Sequence, residues 1–196
     1  MKIILQSIRL LFVLTVLTGI LYPLVVTFFA HVAWSEKAEG SLIIANKRAV
    51  GSELLAQKTE DNRYFWPRPS AADYATIASG ASNLGPSSTA LKKAVEERTQ
   101  KWREANELSA ETPVPSDIQF ASGSGLDPHI SPLAAAQQIQ RVAAARNLSL
   151  ENRAKLTTLV KDSVEGPQWQ IFGESRVNVL KLNLAMDRLL FSPQPQ

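Results

Sequence analysis

The sequence predicts an α+β soluble domain behind a single N-terminal transmembrane helix. Three observations indicate this fold class: a long apolar run near the N-terminus, short segments of strand-like composition, and helical periodicities that begin at serine caps. The remaining residues suffice for one domain with a hydrophobic core. The predicted divisions are a short cytoplasmic tail over 1–9, the transmembrane helix over 10–34 and the soluble domain over 36–196.

The apolar run is long enough to span a bilayer. Residues 10–35 contain no Asp, Glu, Lys or Arg, and as a helix they reach roughly 39 Å, against a hydrocarbon core of about 30 Å. The alternative is a cleaved signal peptide, which has a shorter apolar core and a small-x-small site. The candidate alanines are Ala33 and Ala30, and the residues two positions before them are His31 and Phe28, which are not small. Neither alanine therefore completes such a site, and we expect a retained anchor.

Flanking charges predict the orientation of this anchor. Lys2 and Arg9 precede the apolar run. Glu36, Lys37 and Glu39 follow it. Because cytoplasmic flanks carry the excess of basic residues, we expect a cytoplasmic N-terminus and a C-terminal domain outside the membrane.

One face of the anchor differs from the rest of its surface. A stripe with a four-residue repeat carries small and hydroxylated residues: Thr15, Gly19, Pro23 and Thr27, with Tyr22 beside it. Such residues let a second helix approach closely and form hydrogen bonds. They are also common in membrane helices generally. We interpret the stripe as a docking face for a partner helix.

Turn residues and caps divide the soluble domain into short elements. Strands are predicted over 41–44 and 49–55 around a turn at Asn46-Lys47, and residues 64–66 are expected to be extended. Residues 67–88 are rich in Ser, Gly, Ala, Asn and Pro and predict a long loop. The other predicted elements are helices over 88–107, 131–146 with Ser131 as N-cap, 150–163 with Ser149 as N-cap, and 179–190, and a strand at Ile171 and Phe172.

Composition excludes several classes of chemistry. The absence of cysteine rules out disulfides, thiolate metal sites and cysteine nucleophiles. Of the 21 basic residues, Lys2 and Arg9 precede the anchor and the remaining 19 nearly balance the 18 acidic ones, which argues against nucleic acid as the main partner. The domain has one histidine, since His31 lies in the anchor, so we expect no metal site. Neither a Walker A motif nor an aspartyl-phosphate signature is present, so the chain is not a pump by itself.

A histidine and an aspartate lie close together in a Gly/Ser-containing loop. Asp127 and His129 suggest an acid–base pair, with Ser124 or Ser131 as nucleophile, and hence a membrane-tethered hydrolase. The alternative is that Asp127 and Ser131 bind nearby backbone groups and start a helix. We favour the alternative, because the members of a catalytic triad come from distant segments.

A second loop offers groups that hold phosphate oxygens. Its hydroxyl, amide and backbone donors lie just before a helix. The alternative is a tight turn that needs Gly and Asn for left-handed dihedrals. The absence of a phosphate-binding lysine favours this alternative. The candidate nucleotide or partner residues of this loop are Ser79, Gly80, Ser82, Asn83 and Gly85.

The chain contains a series of short motifs in a fixed order, such as Tyr-Phe-Trp-Pro-Arg-Pro-Ser over 64–70 and Arg-Val-Asn-Val-Leu over 176–180. Taken together, these motifs resemble the C subunit of the bacterial high-affinity potassium-transporting ATPase, the Kdp complex. Each motif is weak alone, but the ordered set is specific and covers nearly the whole chain. The other matching stretches are 17–24, 40–43, 50–52, 79–87, 113–115 and 121–132.

The resemblance implies a non-catalytic subunit of a potassium pump. Family members span the bacterial cytoplasmic membrane once, with the C-terminal domain outside. They assemble with a channel-like A subunit, an ATP-hydrolysing B subunit and a small F subunit. The family is described as a catalytic chaperone that raises the ATP affinity of the B subunit, with ATP as a shared ligand.

The resemblance also implies which loops matter. The loop over 79–85 would help hold nucleotide, and a partner-facing group would contain Arg68, Ser70, Asp127 and His129. Two positions depart from the family pattern: Ala81 and Pro67 each replace a common Gly.

The predicted orientation conflicts with direct nucleotide binding, because a domain outside the membrane meets little ATP. Either the domain is cytoplasmic, or it acts indirectly through assembly and the outer mouth of the channel subunit. We favour the indirect role. The hydrolase and a free-standing tethered binding module remain as alternatives.

Overall fold

The computed structural model describes residues 1–45 and 47–191, without the side chain of Phe191, and divides the chain into two compact units. The first unit is Met1–Ser52 and the second begins at Glu53. The hairpin predicted at the start of the soluble domain therefore groups with the N-terminal helix.

A long apolar helix dominates the first unit. It consists of α1 (Lys2–Val16), a π-helical turn (Leu17–Leu21) and α2 (Tyr22–Ala38). By length and composition it is the one helix among the described residues that can cross a membrane. Residues 2–9, expected as a tail, are helical, because their isoleucines and leucines continue the apolar pattern.

Two features interrupt the regular α-helical geometry. Tyr22 donates its backbone N–H to the Leu17 carbonyl, five residues earlier. Pro23 follows directly and has no N–H to continue the ladder, a common setting for a π turn or kink. Trp34 departs from helical dihedrals, with φ −146° and ψ 54°.

An antiparallel hairpin completes the first unit and confirms the two predicted strands. Its strands are β1 (Leu42–Ala45) and β2 (Arg48–Ser52). The second strand ends at Ser52 rather than at the predicted residue 55. The Ser52 hydroxyl donates to the Gly40 carbonyl at 2.7 Å. Asn46 of the predicted turn lies outside the described residues.

The second unit combines helices with a small antiparallel sheet, which confirms the α+β class. The sheet has the strand order β3-β5-β4. Its strands are only two or three residues long. The elements are α3 (Thr89–Ala105), α4 (Ser116–Gln119), β3 (His129–Ile130), α5 (Pro132–Ala145), α6 (Leu150–Asp162), β4 (Val164–Glu165), β5 (Arg176–Asn178) and α7 (Val179–Phe191).

Serine caps begin three of these helices. The caps at Ser131 and Ser149 are as predicted, whereas Ser88, predicted as the first helical residue, is the N-cap of α3. The hydroxyls of Ser88, Ser131 and Ser149 accept first-turn N–H groups at 3.4, 3.1 and 3.3 Å. The strand predicted at Ile171 and Phe172 is wrong. Both residues lie in a tight turn between β4 and β5, where only one bridge forms.

The core lies among the last three helices and the sheet. Helix α6 packs against α5 and α7, and both of these contact β5. Val142 of α5 and Leu156 of α6 are buried with Phe65, Leu182 and Met186. This packing holds the long loop segments that form the candidate site.

Candidate functional site

A polar cleft forms where the loop after Trp66 meets the segment before β3. Arg68 Nη1 donates to Asp127 Oδ2 at 2.8 Å. His129 donates its backbone N–H to Asp127 Oδ1 at 3.0 Å, and its ring Nδ1 lies 3.2 Å from the same oxygen. The three side chains are partly exposed and line an open cavity of about 510 Å³. The fold thus brings together Arg68, Asp127 and His129.

The serines suggested as nucleophiles have other partners. Ser131 Oγ donates to Asp117 Oδ1 at 3.0 Å and caps α5. Ser124 Oγ accepts the N–H of Leu126 at 3.1 Å. Within the described part of the chain, neither hydroxyl bonds to His129. The cleft therefore lacks the nucleophile–base contact that acyl transfer requires.

Ser70 lies in a tight contact between two loops. Its hydroxyl accepts the N–H of Ala72 at 3.2 Å and that of Tyr74 at 2.9 Å. A Cβ on Gly125 would lie 3.1 Å from this hydroxyl and 2.9 Å from the Gly80 carbonyl. The φ of Gly125 is +71°, so glycine meets both a steric and a conformational requirement here.

The loop over 79–85 is exposed apart from Gly80, which is half-buried against Gly125. Asn83 adopts a left-handed φ of 52°, as predicted. The expectation of left-handed glycines is wrong for Gly80 and Gly85, which lie outside that region. The loop lines neither the 510 Å³ cleft nor the cavity described next.

A second cavity, of about 270 Å³, lies between the start of the unit and α3. Sequence reasoning missed it, because its lining comes from segments far apart in the chain. Its lysines are paired: Lys58 Nζ lies 2.8 Å from Asp73, and Lys101 Nζ lies 3.6 Å from Glu60. Arg98 donates to the Gln119 carbonyl at 3.1 Å. Carboxylates therefore neutralise both lysines, whereas a backbone carbonyl holds Arg98, which keeps its charge.

Tyr74 connects this cavity to the polar cleft. Its hydroxyl donates to the Arg68 carbonyl at 2.7 Å. Burial, followed by the charge of Asp73, raises the pKa of Tyr74 to about 12. The hydroxyl therefore stays protonated and holds the backbone that carries Arg68.

A buried arginine supports the segment that leads into the cleft. Arg141 donates to Asn106 Oδ1 at 3.1 Å, to the Asn62 carbonyl at 2.8 Å and to Gln138 Oε1 at 2.6 Å. Its guanidinium lies 4.0 Å from the centre of the Trp66 ring. Burial lowers the pKa of Arg141 to about 10. These contacts give it a structural role.

The stripe of the membrane helix spans the π turn. A Cβ on Gly19 would lie 4.0 Å from Thr15 Cγ2, so these positions are neighbours on the surface. A four-residue repeat drifts around an α-helix of 3.6 residues per turn. A π turn contains more residues per turn, so it reduces this drift between Thr15 and Pro23.

These features define a class: a membrane-anchored α+β protein whose polar loops are joined by hydrogen bonds and an ion pair and do not form a catalytic triad. Comparison with known proteins narrows the class. A sequence model of the family described as KdpC, the c chain of K+-transporting ATPase, matches residues 4–188. The chain belongs to this family.

Curated relatives called potassium-transporting ATPase KdpC subunit are similar along nearly their whole length. The chain is 48% identical to that of Polynucleobacter asymbioticus over 191 residues, which cover 95% of this chain and 99% of the relative. It is 49% identical to that of Leptospira interrogans, over 95% of this chain and 94% of the relative. Identity reaches 50% with that of Sorangium cellulosum, over 91% and 93%.

Proposed function

We propose that this chain is a non-catalytic accessory subunit that assembles and stabilises a potassium-transporting ATPase. Its partners are a channel-like A subunit, an ATP-hydrolysing B subunit and a small F subunit. The observation that carries the proposal is the family relationship over nearly the full chain. The bonding of Ser124 and Ser131 away from His129 supports a role without chemistry of its own.

The helix 2–38 anchors the protein in the bacterial cytoplasmic membrane and also docks a partner helix. The stripe of Thr15, Gly19, Pro23 and Thr27, with Tyr22, is the proposed contact, because small and hydroxylated residues permit close helix approach. Gly19→Leu would fill the contact and lower the recovery of partner subunits. Ile20→Leu is the matched control. Equal recovery with both variants would count against this face.

The domain lies outside the membrane and affects the ATP affinity of the B subunit indirectly. The flanking charges support this orientation. A protease added to spheroplasts would then digest the domain, and a protected domain would overturn the placement. Direct nucleotide binding by the loop over 79–85 is the competing mechanism. It predicts ATP-dependent protection that Asn83→Ala abolishes.

The polar cleft serves as a partner-facing surface in this proposal. Arg68, Asp127 and His129 present a fixed arrangement of charged and polar groups in the cleft, and Ser70 holds the adjoining loop in place. An exposed, preformed polar surface contributes specificity to an interface more than affinity.

Affinity purification from membranes of potassium-limited cells tests the central claim. We expect the tagged chain to recover the channel-like and ATP-hydrolysing subunits. Recovery of this chain alone would overturn the proposal and favour a free-standing binding module.

A further inference from the structure

The turn between β4 and β5 exposes three large apolar side chains. Trp169, Ile171 and Phe172 are 83%, 76% and 60% exposed; we call them the apolar tip. The sequence carries no charge between Glu165 and Glu174. A concentration of apolar surface at one point indicates a binding site more strongly than scattered exposed residues do.

The apolar tip has a defined shape. Gln168 donates its N–H to the Phe172 carbonyl at 2.8 Å, and Phe172 donates to the Gln168 carbonyl at 2.9 Å. Ile171 donates to the Gln168 carbonyl at 3.1 Å. The rings of Trp169 and Phe172 meet edge to face, with centroids 6.0 Å apart. A ligand would therefore meet a preformed surface.

The backbone of this turn is unfavourable for the residues that it carries. Trp169 has φ 51° and Gln170 has φ 62°, so two consecutive side-chain-bearing residues lie in the left-handed region. Turns with two such positions favour Asn-Gly or Asp-Gly. Bulky residues are strained there. Folding alone thus favours other residues at 169 and 170, and strain of this kind concentrates at functional sites.

The surroundings indicate what the tip contacts. Arg176 Nε lies 3.2 Å from Glu165 Oε2, so ionic groups at the base of the turn are paired. An apolar centre with a polar rim is the anatomy of a protein interface, and Trp is enriched among its energetic anchors. Attraction to an anionic bilayer would favour several unpaired cations near the tip, whereas Arg176 is paired with Glu165 and the other flanking charge is Glu174. A preformed turn also favours a shaped pocket over a fluid lipid surface, because preorganisation lowers the cost of ordering the turn on binding.

We propose that the apolar tip docks in an uncharged apolar pocket on the water-facing surface of another chain of the potassium-transporting ATPase. This inference rests on the proposed function. It adds a contact in the second unit that is separate from the stripe of the membrane helix.

The strained turn allows a test that does not depend on damaging the fold. Trp169→Asn with Gln170→Gly gives the turn its preferred residues and removes the Trp anchor. We expect thermal unfolding of the full chain to be unchanged or shifted upward. We also expect the recovery of the other ATPase chains after a stringent detergent wash to fall at least fivefold. Leu150→Asn, at an 86% exposed site at the start of α6, is the control and should recover them normally.

The result separates the two proposals. If the unchanged chain recovers no other ATPase chain, the proposed function fails. If the unchanged chain and the double variant recover them equally, only the apolar tip proposal is overturned. A photo-crosslinking amino acid at position 169 of the intact complex should give a protein–protein adduct. An adduct with lipid alone, or no adduct, would also overturn the docking proposal.

Discussion

Asn183 forms with Phe65 both of the backbone hydrogen bonds that a neighbouring strand would supply. Its Oδ1 accepts the Phe65 N–H at 2.8 Å, and its Nδ2 donates to the Phe65 carbonyl at 3.0 Å. Gln138 does the same for Trp66, at 2.7 and 3.3 Å. Two side-chain amides therefore replace a strand and fix the segment that leads to Arg68.

Removing the amide of Asn183 should destabilise the domain. Asn183→Leu would leave the buried N–H and carbonyl of Phe65 without these partners, at about 1–3 kcal/mol for each buried polar group. Thermal unfolding of the full chain in detergent would measure the loss. Gln140→Leu, on an exposed position of α5, is the control and should change stability little. If Asn183→Leu unfolded at the same temperature as the control variant, this role of Asn183 would be contradicted.

The helices of the second unit were predictable because their signals are local. Ser131 and Pro132 are adjacent, and they mark the start of α5 by a hydroxyl cap and a fixed φ. The sheet is different, since two-residue and three-residue strands are too short to show an alternating pattern. The bond between Phe65 and Asn183 joins residues 118 positions apart, and no local pattern reveals it.

In the candidate site too, contacts between sequence neighbours were predictable and contacts between distant segments were not. Asp127 and His129 are two residues apart, so their pairing could be predicted from the sequence. The bond of Ser131 to Asp117, 14 residues away, depends on the tertiary fold and removes the serine from the suggested triad. Arg68 was selected through the family resemblance, and the structure supplies its partner, Asp127. The strand prediction at Ile171 and Phe172 of the apolar tip is wrong because Ile and Phe favour strands, whereas left-handed dihedrals at 169 and 170 turn the chain.

Gly125 should be intolerant of a side chain. A methyl group there would lie 2.9 Å from the Gly80 carbonyl, and its φ of +71° disfavours any L-residue. We expect Gly125→Ala to cost about 1–3 kcal/mol in free energy of unfolding. We also expect faster proteolysis in the loop over 79–85, which loses its contact. Gly123→Ala is a close control, because no atom outside its chain neighbours lies within 4 Å of a Cβ there. Equal stability of the two variants would contradict the steric argument.

The pair of Asp61 and Arg63 gives a pH-dependent prediction. Hydrogen bonds from the side chain and then the backbone of Arg63 lower the pKa of Asp61 from 3.8 to about 2. Because the folded-state pKa is depressed, the contribution of this pair to stability is present above about pH 4 and is lost as the pH falls towards 2. Arg63→Gln should return the pKa of Asp61 towards 3.8 in an NMR titration of its carboxyl carbon. Arg153→Gln, on the exposed face of α6, should leave it low. A value near 3.8 in the unchanged chain would refute the assignment.

Pro23 should control the geometry of the proposed docking stripe. In Pro23→Ala the new N–H can donate to the Gly19 carbonyl, so we expect the π turn over 17–21 to relax towards an α-helix. The part of the helix after the turn would then rotate relative to the part before it, and Thr27 would turn away from Thr15. Fewer partner subunits should be recovered with this variant, whereas Val25→Ala, which leaves the backbone donors unchanged, should recover them normally.

The rotation itself is measurable because the chain contains no cysteine. Spin labels on Thr15→Cys and Thr27→Cys would lie about 18 Å apart along a helix axis, at 1.5 Å per residue. Labels on one face are closer than labels on different faces, so adding Pro23→Ala should lengthen the measured distance. An unchanged distance together with reduced recovery would mean that Pro23 touches the partner directly. An unchanged distance with full recovery would remove Pro23 from the docking stripe.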